Sequence, residues 1–493
     1  MNDVENLYPL LPELTLAISI LVVISVDLFL ARERKWLLTP LTVLGLAAVT
    51  ASIAWVWSTL PDQPLAGTYT VDALALVLKL AAVVIALLAA LFSPAYLVSR
   101  KLPLGEFNAI LLFSTLGMFV LASSADLITL FLGLELMVMP AYLLTGFHKT
   151  DRFSNEGGLK YFLLGSFASA ILLFGVAWTY GLTGSVKFSE IAEVLSTGLM
   201  NGAVLVALGF LTVGATFKVA AVPFHFWTPD AYQGAPTPIT GFLSVGPKLG
   251  AFALLLRLFG EALGPVRADW LDVFVILAVV TMTFGNVVAL TQTNVKRMLA
   301  YSSIAHTGYI LAGLAAYAAA PSPDIAAQAI EAVVFYLVGY SVMNIAAFAV
   351  VGMLQRDVRR YGGLASFAGL ASRQPALAAA MTVLLLSLTG IPPTVGFFAK
   401  LYILLATVDA GLVWLAIAIA LNAALAAFYY LRVVVYMYMR DPEAEPAEVE
   451  RSGVGRLALV LSVAGVLLLG IFPGFLLGWL PADWVAAAAG FVR

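Results

Sequence analysis

Apolar stretches of about twenty residues follow one another from one end of this chain to the other, separated by short polar connections. A helix needs roughly 20 such residues to cross the hydrocarbon core of a bilayer. Within that core every backbone N–H and C=O must be paired inside the protein, which leaves helices or closed barrels. Long continuous apolar runs, without strand-like alternation, select helices. The expected fold class is therefore an all-α polytopic membrane protein. Fourteen segments qualify: 8–30, 37–59, 72–99, 107–124, 126–147, 157–181, 201–232, 239–260, 269–291, 295–317, 325–354, 375–409, 411–439 and 455–480. Composition agrees, since 62% of the 493 residues are hydrophobic and 11% are charged, against about 25% charged in a soluble domain. A net charge of −2 gives no basic field for nucleic acid. The absence of cysteine excludes disulfides, thiolate zinc and iron–sulfur clusters held by this chain. The first segment has neither a basic leader nor a small-residue cleavage site, so it reads as a retained helix.

The loops orient these helices. Those after odd-numbered segments hold nearly all the loop lysines and arginines, from Arg32 to Arg456, whereas the opposite side holds Lys187, Arg267 and Arg493. By the positive-inside rule the odd loops are cytoplasmic and both termini face outward. Residues 185–198 are expected to form a short interfacial helix on the outer face, and 441–451 an acidic, solvated cytoplasmic loop.

Six basic residues remain inside the segments: Lys79, Lys218, Lys248, Arg257, Lys400 and Arg432. A charge at the bilayer centre costs about 2.5–3.5 kcal/mol on insertion scales, so each must face protein or water. Lys79, Arg257 and Arg432 lie near enough to helix ends to snorkel, with Asp72 a good N-cap, and Asp27 is placed to pair with the Arg32, Arg34 and Lys35 cluster. Glu135, Lys218 and Lys248 have no such escape. A static Glu135–Lys218 ion pair would lock two helices together. One acid cannot neutralise two lysines, however, and the surplus argues for water and mobile protons. His306, in YSSIAHTGY, is mid-segment and suits either a packing role or a proton relay. His148 and His225 are too scattered to build a haem or metal site with it.

Segments seven and twelve are too long for one straight span and carry prolines in mid-course: Pro223 in the first, Pro392 and Pro393 in the second, with Lys400 just beyond. Such breaks are tolerated where the freed backbone groups meet protein or water, and a matching pair points to inverted repeats around an ion path. The expected organisation is helices one to three (1–106), a repeat of helices four to eight (107–260), an inverted repeat of helices nine to thirteen (261–440), and a loop with the last helix (441–493). No phosphate loop or dinucleotide fingerprint appears, so redox chemistry is not expected on this chain.

The motifs FLGLELMVMPAYLL, EGGLKYFLLGS, FKVAAVPFHFWTPDAYQGAPTPIT, NVKRMLAYSSIAHTGY and SLTGIPPTVGFFAK together resemble the antiporter-like membrane subunits of respiratory complex I, the proton-translocating NADH–quinone oxidoreductase. The resemblance covers about residues 7–480. The GLEL pattern, with Leu134 before Glu135, the lysine at position 400 and the ending after a fourteenth helix are similar to the subunit N line, rather than to subunits M or L. Gly246-Pro247 before Lys248 is less usual for the family and could bend that helix. The resemblance implies a subunit of a translocase that pumps protons along Glu135, Lys218, Lys248, His306 and Lys400. It implies no cofactor here, with FMN, iron–sulfur clusters, NADH and quinone on partner subunits. The implied neighbours are an M-like subunit and small K- and J-like subunits. A multi-subunit Mrp-type cation/proton antiporter is the alternative, because its large subunits share the fold; a membrane scaffold is a third possibility.

Overall fold

The computed structural model describes residues 5–59, 67–198, 202–354, 363–442 and 452–478. It is helical throughout: α1 (Leu11–Phe29), α2 (Leu38–Ser58), α3 (Ala73–Ser99), α4 (Leu104–Ala122), α5 (Leu127–Thr145), α6 (Arg152–Thr183), α7 (Phe188–Ser196), α8 (Gly202–Lys218), α9 (Trp227–Gly234), α10 (Thr237–Arg257), α11 (Arg267–Thr291), α12 (Val295–Ala319), α13 (Pro323–Leu354), α14 (Leu370–Arg373), α15 (Pro375–Thr389), α16 (Val395–Asp409), α17 (Val413–Met439), α18 (Gly453–Ile471) and α19 (Gly474–Leu477). Among the described residues, 11 helices are long and apolar enough to cross a membrane. A short helix, α7, forms within 185–198 where one was expected. Residues 443–451 of the acidic loop and 479–480 of the last segment lie outside the described residues.

Short polar residues start the helices where the sequence offers them. Asp72, Asp126, Asp151, Asn294 and Ser452 each accept from a backbone N–H in the following turn, satisfying donors that have no partner within the helix. Helix α10 is buried along its whole length and α13 along most of it. They form the axis of the bundle, and α4, α5, α12 and α16 pack around them. Helices α1, α2, α17 and α18 keep apolar side chains on their outer faces, as lipid contact requires.

Both long proline-containing segments are interrupted, and both interruptions are built alike. Helix α8 ends in a Schellman closure: Ala221 N donates to Thr216 O and Ala220 N to Phe217 O, each at 3.0 Å, with Ala220 at φ 62°. Helix α15 ends the same way, Ile391 N donating to Leu386 O at 3.0 Å and Gly390 N to Ser387 O at 2.9 Å, with Gly390 at φ 94°. A left-handed residue at this position is what turns the chain out of the helix. A cis proline follows in each case, Pro223 and Pro393.

The groups freed by the breaks find partners inside the protein. At the first break Val219 O accepts from Thr307 Oγ1 (2.7 Å), Phe217 O from Trp227 Nε1 (3.2 Å), and Val222 N donates to Thr281 Oγ1 (3.0 Å). At the second, Lys400 Nζ donates to Leu388 O (3.0 Å) and Thr389 O (2.8 Å), while Gly396 N donates to Ser387 Oγ (3.2 Å). The half-helices meet so closely there that a Cβ on Gly396 would lie 1.8 Å from Ser387 O. Gly396→Ala is therefore expected to cost at least the 1–3 kcal/mol typical of overpacking. The check is the yield and thermal midpoint of the assembled complex, both of which should fall.

Two expectations are corrected. Lys79 does not snorkel: it is fully buried and pairs with Glu13 Oε1 at 2.6 Å, with the Tyr69 ring 5.3 Å away. Arg257 does not snorkel either. It is buried at the end of α10, donates to both carboxylate oxygens of Asp72 (2.7 and 2.8 Å), and also meets Glu261 (2.5 Å) and Ala122 O (2.9 Å). In both cases a carboxylate from a distant part of the chain supplies a cheaper partner than interfacial water. Arg432 reaches the end of α11, donating to Leu290 O and Gln292 O. Asp27 pairs with Lys35 at 2.8 Å, as its position suggested.

Candidate proton-translocation site

Lys218, Lys248, His306 and Lys400 are all buried, with no more than 7% of any of them exposed. They stand on α8, α10, α12 and α16, so the line crosses the bundle axis and touches both broken helices. None of the four is paired with a carboxylate among the described residues; hydroxyls and carbonyls hold them instead.

Lys218 is the last residue of α8 and so stands at the break itself. Its ammonium donates to Ser169 Oγ (2.7 Å) and Gly165 O (3.2 Å) on α6 and to Tyr142 Oη (3.3 Å) on α5. The static Glu135–Lys218 ion pair allowed by the sequence is not formed. Glu135 is half-buried, and its Oε1 is enclosed without a hydrogen-bond partner. Tyr142 lies seven residues after Glu135, two turns along the same face of α5, so its hydroxyl is the Lys218 contact nearest in sequence to the acid.

Lys248 donates to Ser303 O (2.5 Å) and Ser303 Oγ (2.7 Å) on α12, and its ammonium lies 5.3 Å from the centre of the Tyr340 ring. The π face attracts a cation without offering it a formal counter-charge. Pro247 is accommodated within a continuous α10. His306 sits between two tyrosines, Nδ1 2.7 Å from Tyr336 Oη and Nε2 3.2 Å from Tyr430 Oη, with Tyr340 against its ring. Tyr430 also bonds Ser302. Lys400 spans the second break and lies 5.1 Å from the Tyr309 ring, which in turn faces Tyr336 at 6.5 Å. Ser303 at Lys248 and Tyr336 and Tyr430 at His306 thus place hydroxyls, groups that can both give and accept a proton, beside the line, and the Tyr340 and Tyr309 rings face the two lysines.

Asp230 was not singled out by its sequence and proves central to the geometry. It sits on α9, just beyond the first break, and accepts from Lys160 on α6 (2.8 Å) and Arg297 on α12 (2.9 Å). Lys296 adds bonds to Gln233 O and Ala235 O. The acid in PFHFWTPD and the basic residues at the starts of segments six and ten were the available signal. All three side chains are partly exposed, so each pair contributes about 0–1 kcal/mol. Asp230→Asn is expected to leave assembly intact, lower the thermal midpoint slightly, and reduce coupled pumping more than it reduces stability, because α9 loses the ion pairs that join it to α6 and α12. The check is the midpoint and the vesicle pumping rate measured on one preparation.

Among the described residues no cluster of three or more His, Asp or Glu could hold a metal ion. Two interrupted helices around a buried lysine–histidine line define an antiporter-like membrane subunit, and comparison with known proteins agrees. The family NADH:quinone oxidoreductase/Mrp antiporter, TM matches residues 124–426. NADH-quinone oxidoreductase subunit N of Trichlorobacter lovleyi is 42% identical over 474 residues, covering 96% of each chain. A chain of respiratory complex I from Thermus thermophilus superposes with a TM-score of 0.79 at 31% identity, over 95% of this chain and 98% of that one. A chain of the Mrp complex from Dietzia shares the fold, with a TM-score of 0.81 at 23% identity over 99% and 97% of the two chains. The chain belongs to this family and, within it, to the subunit N line: a membrane subunit of proton-translocating NADH–quinone oxidoreductase, complex I, which it forms with other subunits.

Proposed function

We propose that this subunit moves protons along Glu135, Lys218, Lys248, His306 and Lys400, driven by electron transfer on other subunits of the complex. The observation that carries this is the placement of four buried basic side chains on α8, α10, α12 and α16, held by hydroxyls and carbonyls rather than locked in ion pairs. A change in the distance between Glu135 and Lys218 alters how firmly Lys218 holds its proton. Tyr142 stands at that junction. Water carries the proton from Lys218 to Lys248, and the Ser303, Tyr340, Tyr430 and Tyr336 hydroxyls border its further course past His306. Lys400 releases it to the outer side.

In this proposal the helices make fourteen spans, with α8 and α9 the halves of the seventh and α15 and α16 those of the twelfth. Spans four to eight and nine to thirteen are inverted repeats, a layout supported by the like construction of the two breaks. Flavin, iron–sulfur clusters, NADH and quinone belong to partner subunits, and the membrane neighbours are M-like and K- and J-like. Full-length likeness to a subunit N favours this over an Mrp-type antiporter, where the likeness is one of fold.

The proton line is tested by NADH-driven proton uptake in sealed vesicles after replacing Lys248, or Glu135 and Lys218 together. The orientation is tested separately. Reporter fusions at Arg152 and Arg359 should report cytoplasm and one at Pro64 the outer side; the reverse pattern would overturn the topology and the direction of transport.

A further inference from the structure

An apolar groove of about 630 Å³ runs between α15 and α18, away from the proton line. Its walls are small and branched side chains, with Ala376 and Ala380 on α15 and Val460 and Leu467 on α18. It opens outward, since Val460 is 63% exposed. From Arg456 to Leu467 the groove follows twelve residues of α18, about 16 Å end to end at 1.5 Å per residue. One leaflet of a bilayer is half of its roughly 30 Å hydrocarbon core, so the groove has the length of a single acyl chain layer.

One end of the groove differs from the rest. Arg456 and Gln374 close it, at the N-terminal ends of α18 and α15. The Arg456 guanidinium has no hydrogen-bond or ion-pair partner among the described residues, while its backbone N–H is already used by Ser452 O. Two helix N-termini add partial positive charge at the same place. A cation without a partner among the described residues and an amide, at the water end of a leaflet-long apolar channel, match the phosphate and acyl chain of one lipid. A purely apolar neighbouring helix would pack against a groove of this kind but would bring no acceptor for Arg456.

We propose that the α15–α18 groove is a binding site for one anionic phospholipid, its phosphate at Arg456 and Gln374 and one acyl chain lying between the helices toward Leu467. The bound chain fills the space behind α15, the half-helix whose terminal carbonyls are held by Lys400, and braces that half-helix from the lipid side.

The test is made on the whole complex, extracted gently and exchanged into detergent with phosphatidylglycerol or phosphatidylcholine, followed by mass spectrometry of the intact assembly. Wild type is expected to retain one more phosphatidylglycerol per complex than Ala380→Trp, which fills the groove. Arg456→Gln should weaken that retention by about fivefold, the usual contribution of a basic residue at an anionic headgroup, and should leave phosphatidylcholine retention unchanged. Equal lipid retention in wild type and both variants would overturn the proposal. So would loss of a neighbouring subunit from Ala380→Trp with lipid retention intact, which would assign the groove to a protein helix.

Discussion

Lys248→Ala is expected to lower NADH-driven proton translocation by about tenfold or more, on the scale of the ~10²-fold or greater loss that follows removal of a positioned proton-transfer group. The complex should still assemble. Lys248 is buried on α10, 4% exposed, the hydrogen bonds of its ammonium all go to Ser303, and no carboxylate is left uncompensated when it goes. Removing a charge that costs about 2.5–3.5 kcal/mol to hold at mid-membrane offsets part of the cavity left by the side chain. Lys248→Arg should not restore the rate, because a guanidinium keeps its proton under almost any condition. Proton uptake equal to wild type in an assembled Lys248→Ala complex would remove this residue from the path.

Replacing Glu135 by Gln and Lys218 by Met together separates a switch from a clamp. If the two served as a clamp, removing both charges would be close to neutral, as it often is for buried pairs. The geometry argues otherwise, since Lys218 is bound by Ser169, Gly165 and Tyr142 while Glu135 stays apart. The double variant is expected to assemble and to pump several-fold more slowly than wild type, because in the proposed path Lys218→Met removes the carrier and Glu135→Gln the charge that modulates it. Wild-type pumping by the assembled double variant would leave the clamp as the explanation. Sealed vesicles are needed for this measurement, because in the proposed scheme quinone reduction belongs to other subunits and would persist when this remote channel is damaged.

The apolar segments, the helix breaks and the buried charges could all be read from the chain, because each is a local property: a run of hydrophobic residues, a proline in mid-run, a lysine among leucines. The capping of α3 by Asp72 was likewise visible. The partners were not. Arg257 meets Asp72 across 185 residues of sequence, and Glu13 meets Lys79 from another helix, so a rule based on distance to the nearest helix end assigned both cations to the interface. The hydroxyls around the proton line were hidden for a different reason. Ser169, Ser303, Tyr336 and Tyr430 are unremarkable in their own segments and gain meaning from the residue each faces across a helix contact. Asp230, inside the seventh segment, gains its meaning only from Lys160 on α6 and Arg297 on α12, which converge on it in the fold.

The second break has a consequence for the outlet of the path. Lys400 belongs to α16, yet its ammonium is fastened to Leu388 and Thr389 at the end of α15, so one side chain ties together the two halves of an interrupted helix. In the proposed cycle that same side chain surrenders the transported proton. Each departure would then take away a donor and the positive charge that hold the halves in register, and each arrival would restore them. Cargo and fastener would be a single group, and the stiffness of the outlet would follow its own occupancy: slack just after release, taut when the next proton is loaded. No separate gate would be needed to tell the outlet that it had fired.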